Sequence, residues 1–288
     1  MTKIMIVGEA WGRDEEDMKH PFVGMSGSYL IDLLSQVGII NLTPSDIANR
    51  REFFKSRNAY FNMQVWQAHP EIKLTNVFNL RPQPSNDVEN LCGPKTQAVA
   101  GFPALRNGKY IRAEFRDEIT RLYSEIAAAN PNIVVALGVT PTLALLRQSG
   151  IKKQRGAPAQ VPPETRRGTG DWQGKVIPTY HPAAMMRDWS LRPIILSDLD
   201  KARRQSEFPD VRRPQREVWV EPTIADLLQF EREFIRSAKR LSIDIETKGN
   251  QITCIGFAPS PSLAIVIPIY DPSKPDGNYW RTHSDEMT

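Results

Sequence analysis

Five short stretches hold side chains able to bind or react: Gly8-Glu9-Ala10-Trp11-Gly12, Glu15, Pro21-Phe22-Val23-Gly24, Thr75-Asn76-Val77 and His181-Pro182-Ala183. Together they offer two carboxylates, an aromatic ring, a side-chain amide and an imidazole. Each alone has an ordinary structural use: a glycine turn, a core ring, a strand-end asparagine, a packed histidine. Their weight is collective, because the stretches follow or end predicted strands. In open α/β sheets, ligands bind beyond the carboxyl ends of the strands. Residues 8–22, 76–81 and 179–187 should therefore converge on one edge. A sixth feature, Asp244-Ile245-Glu246, sets two carboxylates on one face of a strand, as metal ligands require.

The elements that position these residues follow from periodicity and punctuation. Lys3–Val7 reads as a strand stopped by Gly8. Leu30, Leu33, Leu34 and Val37 recur at i, i+3, i+4, i+7 and predict a helix ending at Gly38. Residues 44–63 read as a surface helix and Leu74–Leu80 as the second strand. Residues 82–108, rich in Pro, Asn and Gly, read as a long loop, a kind that is often functional or mobile. Phe115, Ile119, Leu122 and Ile126 mark the next helix, and Ile133–Leu137 the third strand. Thr140-Pro141 reads as N-cap and first position of a further helix. Residues 148–174 form a Gly-, Pro- and Arg-rich loop, Val176–Thr179 the fourth strand and Ile194–Arg204 a closing helix. This alternation implies a parallel sheet with helices on both faces. Arg203–Arg216 reads as a linker. Beyond it, a helix near Ile224–Ser237 and strands at Arg240–Glu246, Ile252–Ala258 and Leu263–Ile269 make a different pattern, so a boundary falls near residue 210.

A chain of 288 residues has room for one large domain or two smaller ones. Its 40% hydrophobic and 24% charged residues exclude a disordered or collagen-like protein. No apolar run approaches the ~18 residues of a membrane span, and Ile4–Val7 is too short for a signal-peptide core. Two cysteines, Cys92 and Cys254, cannot make a disulfide framework. Nor can they by themselves complete a four-cysteine zinc or iron–sulfur site. The expected compartment is the reducing cytosol, prokaryotic or viral. The net charge of +4 is uneven: Arg147–Arg216 holds fifteen Lys and Arg against seven Asp and Glu. That balance fits either a polyanion partner or a solvated basic face.

In order along the chain stand GEAWGRDEEDMKHPFVG (8–24), TNVFNLRP (75–82), ALGVTPTLALL (136–146) and TYHPAAMMR (179–187). Together they resemble the uracil-DNA glycosylase superfamily, most closely its type 4 branch, over roughly residues 1–205. The resemblance implies a three-layer α/β/α domain with a central, mostly parallel four-stranded sheet. It implies a monofunctional glycosylase of base-excision repair that hydrolyses the N-glycosidic bond of uracil or a related base. Phe22 matches the position whose ring stacks on the base, and Asn76 the position whose amide reads its edge. Cytosine carries an amino group where uracil has O4, and the mismatch leaves buried groups unpaired at roughly 1–3 kcal/mol each. His181 matches the group that stabilises charge developing on O2. Glu15 would crowd C5 and exclude thymine, while Glu9 would steady a sugar cation or water. Ala10 stands where other branches keep Asp or Asn, and Trp11 where the family usually has proline. Met185, Met186 and Arg187 would wedge into the base stack, with Arg166 and Arg167 as further DNA contacts. The type 4 branch usually carries four cysteines for a 4Fe–4S cluster; those ligands are missing here, so no cofactor is expected. The partner is single- or double-stranded DNA, with no membrane, and the chain should be monomeric.

Ser242–Thr247 resembles the first motif of DEDD-type 3′–5′ exonuclease domains of DNA polymerases. It implies an incomplete, ribonuclease H-like α+β piece over 218–288 after a linker at 206–217. Asp244 and Glu246 would be part of a metal site, needing Mg²⁺ only were the site complete. Asp285 and Glu286 lie too near the end to supply the missing ligands. A second reading stays open, in which the chain is a non-catalytic uracil- or DNA-recognition module at the front of a viral or bacterial polymerase or exonuclease.

Overall fold

Four apolar runs build the centre of the N-terminal part, and the alternation of their faces decides where the helices go. The computed structural model describes residues 3–43, 59–212, 215–280 and 282. They fall into two units, Met1–Val211 and Arg212–Thr288. The first runs β1 (Ile4–Ala10), α1 (Arg13–Met18), α2 (Met25–Gln36), α3 (Ala59–Ala68), β2 (Ile72–Phe78), β3 (Cys92–Gly93), β4 (Tyr110–Ile111), α4 (Arg116–Ala129) and β5 (Ile133–Leu137). It continues α5 (Val139–Leu146), α6 (Ile151–Gln154), β6 (Ala159–Gln160), α7 (Pro163–Gly168), β7 (Lys175–Thr179), α8 (Pro182–Arg187) and α9 (Arg192–Gln205).

The sheet order is β2-β1-β5-β7-β6. The four long strands are parallel, as expected; the fifth, two-residue β6 pairs antiparallel to β7 and was not foreseen. Side chains alternate across the sheet. Met5, Val7, Val134, Ala136 and Val176 pack with α4 and α5 on one face. Ile4, Ile6, Ile133, Val135 and Ile177 pack with α2, α3 and α9 on the other. The register sets Gly8 beside Asn76 and Leu137 beside Thr179, so the carboxyl ends of the strands are level.

Several expectations are corrected. Of the surface helix read over 44–63, residues 44–58 lie outside the described residues. The rest belongs to α3, which is not a surface helix, because Asn62, Val65 and Trp66 are buried. Helix α5 starts two residues early: Gly138 is its N-cap and Thr140 lies in the first turn. The loop at 82–108 is ordered, because Val88, Leu91, Val99, Phe102 and Leu105 enter the core. The loop at 148–174 contains α6, β6 and α7, and its Trp172 donates to the Pro131 carbonyl at 2.7 Å. Arg147 ties the two segments together: it donates to Gly101 O (3.1 Å), Thr165 Oγ1 (3.4 Å) and the Tyr123 hydroxyl (3.3 Å), with its guanidinium over Phe102. Residues 206–211 are packed onto the first unit, where the buried Lys175 donates to the carbonyls of Phe208 and Asp210.

The second unit has β8 (Glu217–Trp219), α10 (Ile224–Phe230), β9 (Ser242–Lys248), β10 (Gln251–Ser260) and β11 (Leu263–Pro268). The sheet order is β8-β11-β10-β9, with β8 parallel to β11 and the other pairs antiparallel. Phe230 is fully buried against Trp219 and Phe234. Strand β11 is flanked on both sides, so the edges of this sheet are β8 and β9, and β9 is exposed along its length. Beyond β11, Tyr270 bridges Asn278 and Trp280 is buried. Asp285 and Glu286 lie outside the described residues.

Candidate active site

The level strand ends of the first unit open into a cavity of about 580 Å³ whose walls include Glu9, Trp11, Phe22, Asn76, His181 and Arg187. The convergence expected from strand order is therefore met. Gly8 is what lets the groups approach: a Cβ there would overlap the Asn76 Oδ1 atom and stand 2.6 Å from Phe22 Cζ. Phe22 is buried and its φ is +57°. That left-handed conformation costs a bulky side chain about 1–3 kcal/mol, so surrounding bonds must hold it. Its ring lies near-parallel to the His181 ring, with centroids 6.3 Å apart and planes 25° apart.

Asn76 lies two residues before the end of β2 and is 3% exposed. Its amide makes no hydrogen bond to the described residues, and it borders the cavity. The amide is thus open to the cavity and available to a ligand there. The backbone behind it is fixed by Arg121 of α4, which donates to Asn76 O (2.8 Å), Val77 O (3.1 Å) and Thr75 Oγ1 (3.1 Å). Glu118 and Glu125 pair with the same guanidinium. Strand β2 is the sheet edge, and Arg121 secures its outer end. Sequence reasoning missed Arg121; only its place one helix turn from Glu118 and Glu125 marks it.

His181 caps α8, and its Nδ1 accepts the Ala183 N–H at 3.1 Å. In the neutral ring this leaves the proton on Nε2, available to donate. Burial pushes the His181 pKa below 6.5; the Glu9 carboxylate opposes that shift and the Arg187 charge adds to it. The ring is thus a neutral donor at pH 7. Glu9 accepts from the Thr140 hydroxyl at 3.0 Å, at the start of α5. Behind the His181 turn, Thr179 donates to the buried Asp198 (2.7 Å), which Arg155 grips with two bonds of 2.5 and 3.0 Å. Asp198 and Arg155 were also missed, since they stand 19 and 24 residues from Thr179 in opposite directions along the chain.

The other expected residues divide. Glu15 lines the cavity, and both its oxygens accept backbone N–H groups, from Gly24 at 2.8 Å and Gly12 at 3.1 Å. It therefore staples the two halves of the first motif. Ala10 and Trp11 form part of the wall; the Trp11 indole N–H is buried without a hydrogen-bond partner among the described residues. Met185 is corrected: it is 0% exposed and belongs to the core, because the short helix α8 turns it inward. Met186 is 46% exposed, and Arg187 is exposed at the cavity rim. Arg166 and Arg167 lie on α7. Helix α7 packs Gly168 against Tyr123, and Arg166 O accepts Asp171 N beside the Trp172–Pro131 contact, towards the amino end of β5. Neither arginine borders the cavity; Arg106 of the 82–108 segment does, and was missed. Asp244 and Glu246 are exposed on the edge strand β9, and no cluster of three metal-ligating side chains occurs among the described residues.

The profile of the Uracil DNA glycosylase superfamily matches residues 1–205. The chain belongs to the uracil-DNA glycosylase superfamily. It is 30% identical over 208 residues to the Type-4 uracil-DNA glycosylase of Thermotoga maritima, covering 70% of this chain and 77% of that protein. Identity to the Type-4 uracil-DNA glycosylase of Pyrobaculum aerophilum is 26% over 196 residues, covering 68% and 74%. For that of Archaeoglobus fulgidus it is 27% over 205 residues, covering 69% and 75%.

The type 4 branch raises the question of a 4Fe–4S cluster, and the residues of this glycosylase-family chain do not fit one. It has two cysteines, and Cys254 belongs to the second unit. Burial, reinforced by Glu89, pushes the Cys92 thiol up to about 11, which disfavours the thiolate a metal needs. Arg147 joins the 82–108 and 148–174 segments through Gly101 and Thr165.

Proposed function

We propose that residues 1–205 excise uracil from DNA by monofunctional hydrolysis, with no metal or cofactor. Membership of the family makes the chain a DNA glycosylase of the base-excision type. The observation that carries the assignment of roles is the partnerless Asn76 amide beside His181, whose Nδ1 is already occupied. Asn76 donates to uracil O4 and accepts from N3–H. Phe22 stacks on the ring of a base taken out of the helix or already single-stranded. The C1′–N1 bond breaks, its electron pair moves into the uracil ring, and His181 Nε2–H stabilises the charge at O2. Water adds at C1′ and its released proton neutralises the uracil anion, leaving free uracil and an abasic site. Glu9, held by Thr140, faces the cationic sugar. Glu15 keeps the wall near C5 in place, and Ala10 leaves no second carboxylate to act as a strong base. Met186 and Arg187 hold the gap left in the stack.

The chain acts as a cytoplasmic monomer on single- or double-stranded DNA. Residues 218–288 make an exonuclease-like piece without activity of its own. Asp244 and Glu246 alternate onto one side of β9, and two carboxylates cannot seat a pair of divalent ions.

The test is alkali cleavage of labelled uracil-containing oligonucleotides, single- and double-stranded, with and without EDTA. Cleavage that survives EDTA is expected, and Asn76→Asp should weaken uracil excision while admitting some cytosine. Binding without cleavage would favour a recognition module. Loss to EDTA would refute the cofactor-free reading, and stepwise 3′ shortening with Mg²⁺ would refute an inactive C-terminal piece.

A further inference from the structure

Phe22 sits in a conformation its side chain disfavours, and the groups that hold it stand outside the cavity. Its carbonyl oxygen accepts the Trp66 indole N–H at 2.8 Å. The carbonyls of the next two residues, Val23 and Gly24, accept the Asn62 amide at 2.6 and 3.1 Å. Asn62 and Trp66 are 1% and 5% exposed and stand four apart on α3, on one face of the helix. Neither borders the cavity. From the other side α2 closes on the same turn: a Cβ on Gly27 would fall on the Phe22 carbonyl, and Ser28 Oγ accepts from Asn62 at 3.0 Å. Three consecutive carbonyls are thus gripped by two buried donors that have no other task in the site.

We propose that Asn62 and Trp66 are positioning residues for base selection, locking the Phe22 ring as a stacking platform before DNA arrives. The proposal rests on Phe22 being that platform. Residue 22 released from these bonds returns to negative φ, where bulky residues belong. The ring then leaves its place opposite His181 and over Gly8. A platform set in advance spares the ordering cost at binding, and a shift of about 1 Å near reacting atoms costs about 100-fold in rate. Strain at residue 22 therefore serves placement, and α3 supplies the bonds that maintain it.

The test compares Trp66→Phe, which removes the N–H and keeps an aromatic ring, and Asn62→Asp, which removes the donors at equal size. Each is made in the wild-type and Phe22→Ala backgrounds. The readouts are kcat and KM on a uracil-containing oligonucleotide, inhibition by free uracil, affinity for undamaged DNA and the thermal midpoint. In the wild-type background, each change should weaken uracil inhibition and lower kcat about tenfold, the loss expected for a bond to a buried acceptor. Affinity for undamaged DNA should not change. In the Phe22→Ala background, the same changes should cost almost nothing further, because there is no ring left to place. Equal losses in both backgrounds, or unchanged uracil inhibition, would overturn the proposal. Phe22→Ala with full activity would instead remove the platform assignment itself. Should Asn62→Asp fail to fold, Trp66→Phe carries the comparison alone.

Discussion

At the scale of single residues, function depends on protonation and on close approach. His181 is neutral in the fold because burial outweighs the attraction of Glu9, with Arg187 acting in the same direction as burial. Its folded pKa lies below 6.5, so as the pH falls below that value the unfolded chain takes a proton first. Stability therefore declines with falling pH in the window from 6.5 down to the folded value. In the same window the wild type should lose more stability than His181→Asn, measured by urea unfolding at several pH values. Protonation also turns Nδ1 from acceptor to donor against the Ala183 N–H, so excision should fall once the folded pKa is passed. Gly8→Ala is the second prediction. The added Cβ would displace both the Asn76 amide and the Phe22 ring. Excision should drop by more than about 100-fold, with DNA affinity retained, in single-turnover assays.

At the scale of elements, each functional residue is held by a different helix, α4 on one face of the sheet and α3 and α9 on the other. Helix α3 holds Phe22, α4 holds Asn76 through Arg121, and α9 holds the His181 turn through Asp198. The outer segments have their own fastening. Arg147 joins residues 101–102 to Tyr123 and Thr165, and stacks its guanidinium on Phe102. Removing it takes away three hydrogen bonds and uncovers an aromatic face. Arg147→Ala should cost about 2–4 kcal/mol, read from urea denaturation. Added iron and sulfide should not restore the loss.

At the scale of the whole molecule, the basic stretch from Arg147 to Arg216 is not one DNA-binding face. Lys175 is buried beneath the carbonyls of Phe208 and Asp210, Arg155 is committed to Asp198, and Arg147 works inside the fold. What borders the cavity is Arg187, joined by Arg106 from a different segment. Each phosphate contact adds about 0.9 to the slope of log K against log salt on duplex DNA. Arg187→Ala should lower that slope by about one contact, equally for uracil-containing and undamaged DNA. The double change at Arg166 and Arg167 should leave it unaltered. Titrations by fluorescence anisotropy at several salt concentrations decide between the two arginine groups.

The sequence alone determined what depends on local order. Strands that run continuously apolar must be buried, and the residues just after them must share an edge, so Glu9, Asn76 and His181 were legible together before any coordinates. The same reasoning located Phe22 through the motif that contains it. It could not say that Phe22 takes a positive φ, because that conformation is imposed by donors at Asn62 and Trp66, forty and more residues away. Nor could it separate Met185 from Met186. On a six-residue helix the two differ only in the direction they leave the axis, and the neighbouring core claims one of them. Composition marked Arg166 and Arg167 as readily as Arg187, yet charge carries no address. Only the packing of α7 against Tyr123 and of α8 at the strand ends decided which cations reach the cavity. Short-range pattern determines which elements form; the long-range hydrogen bonds and the filling of the core determine where each side chain ends up, and no window of sequence contains both partners.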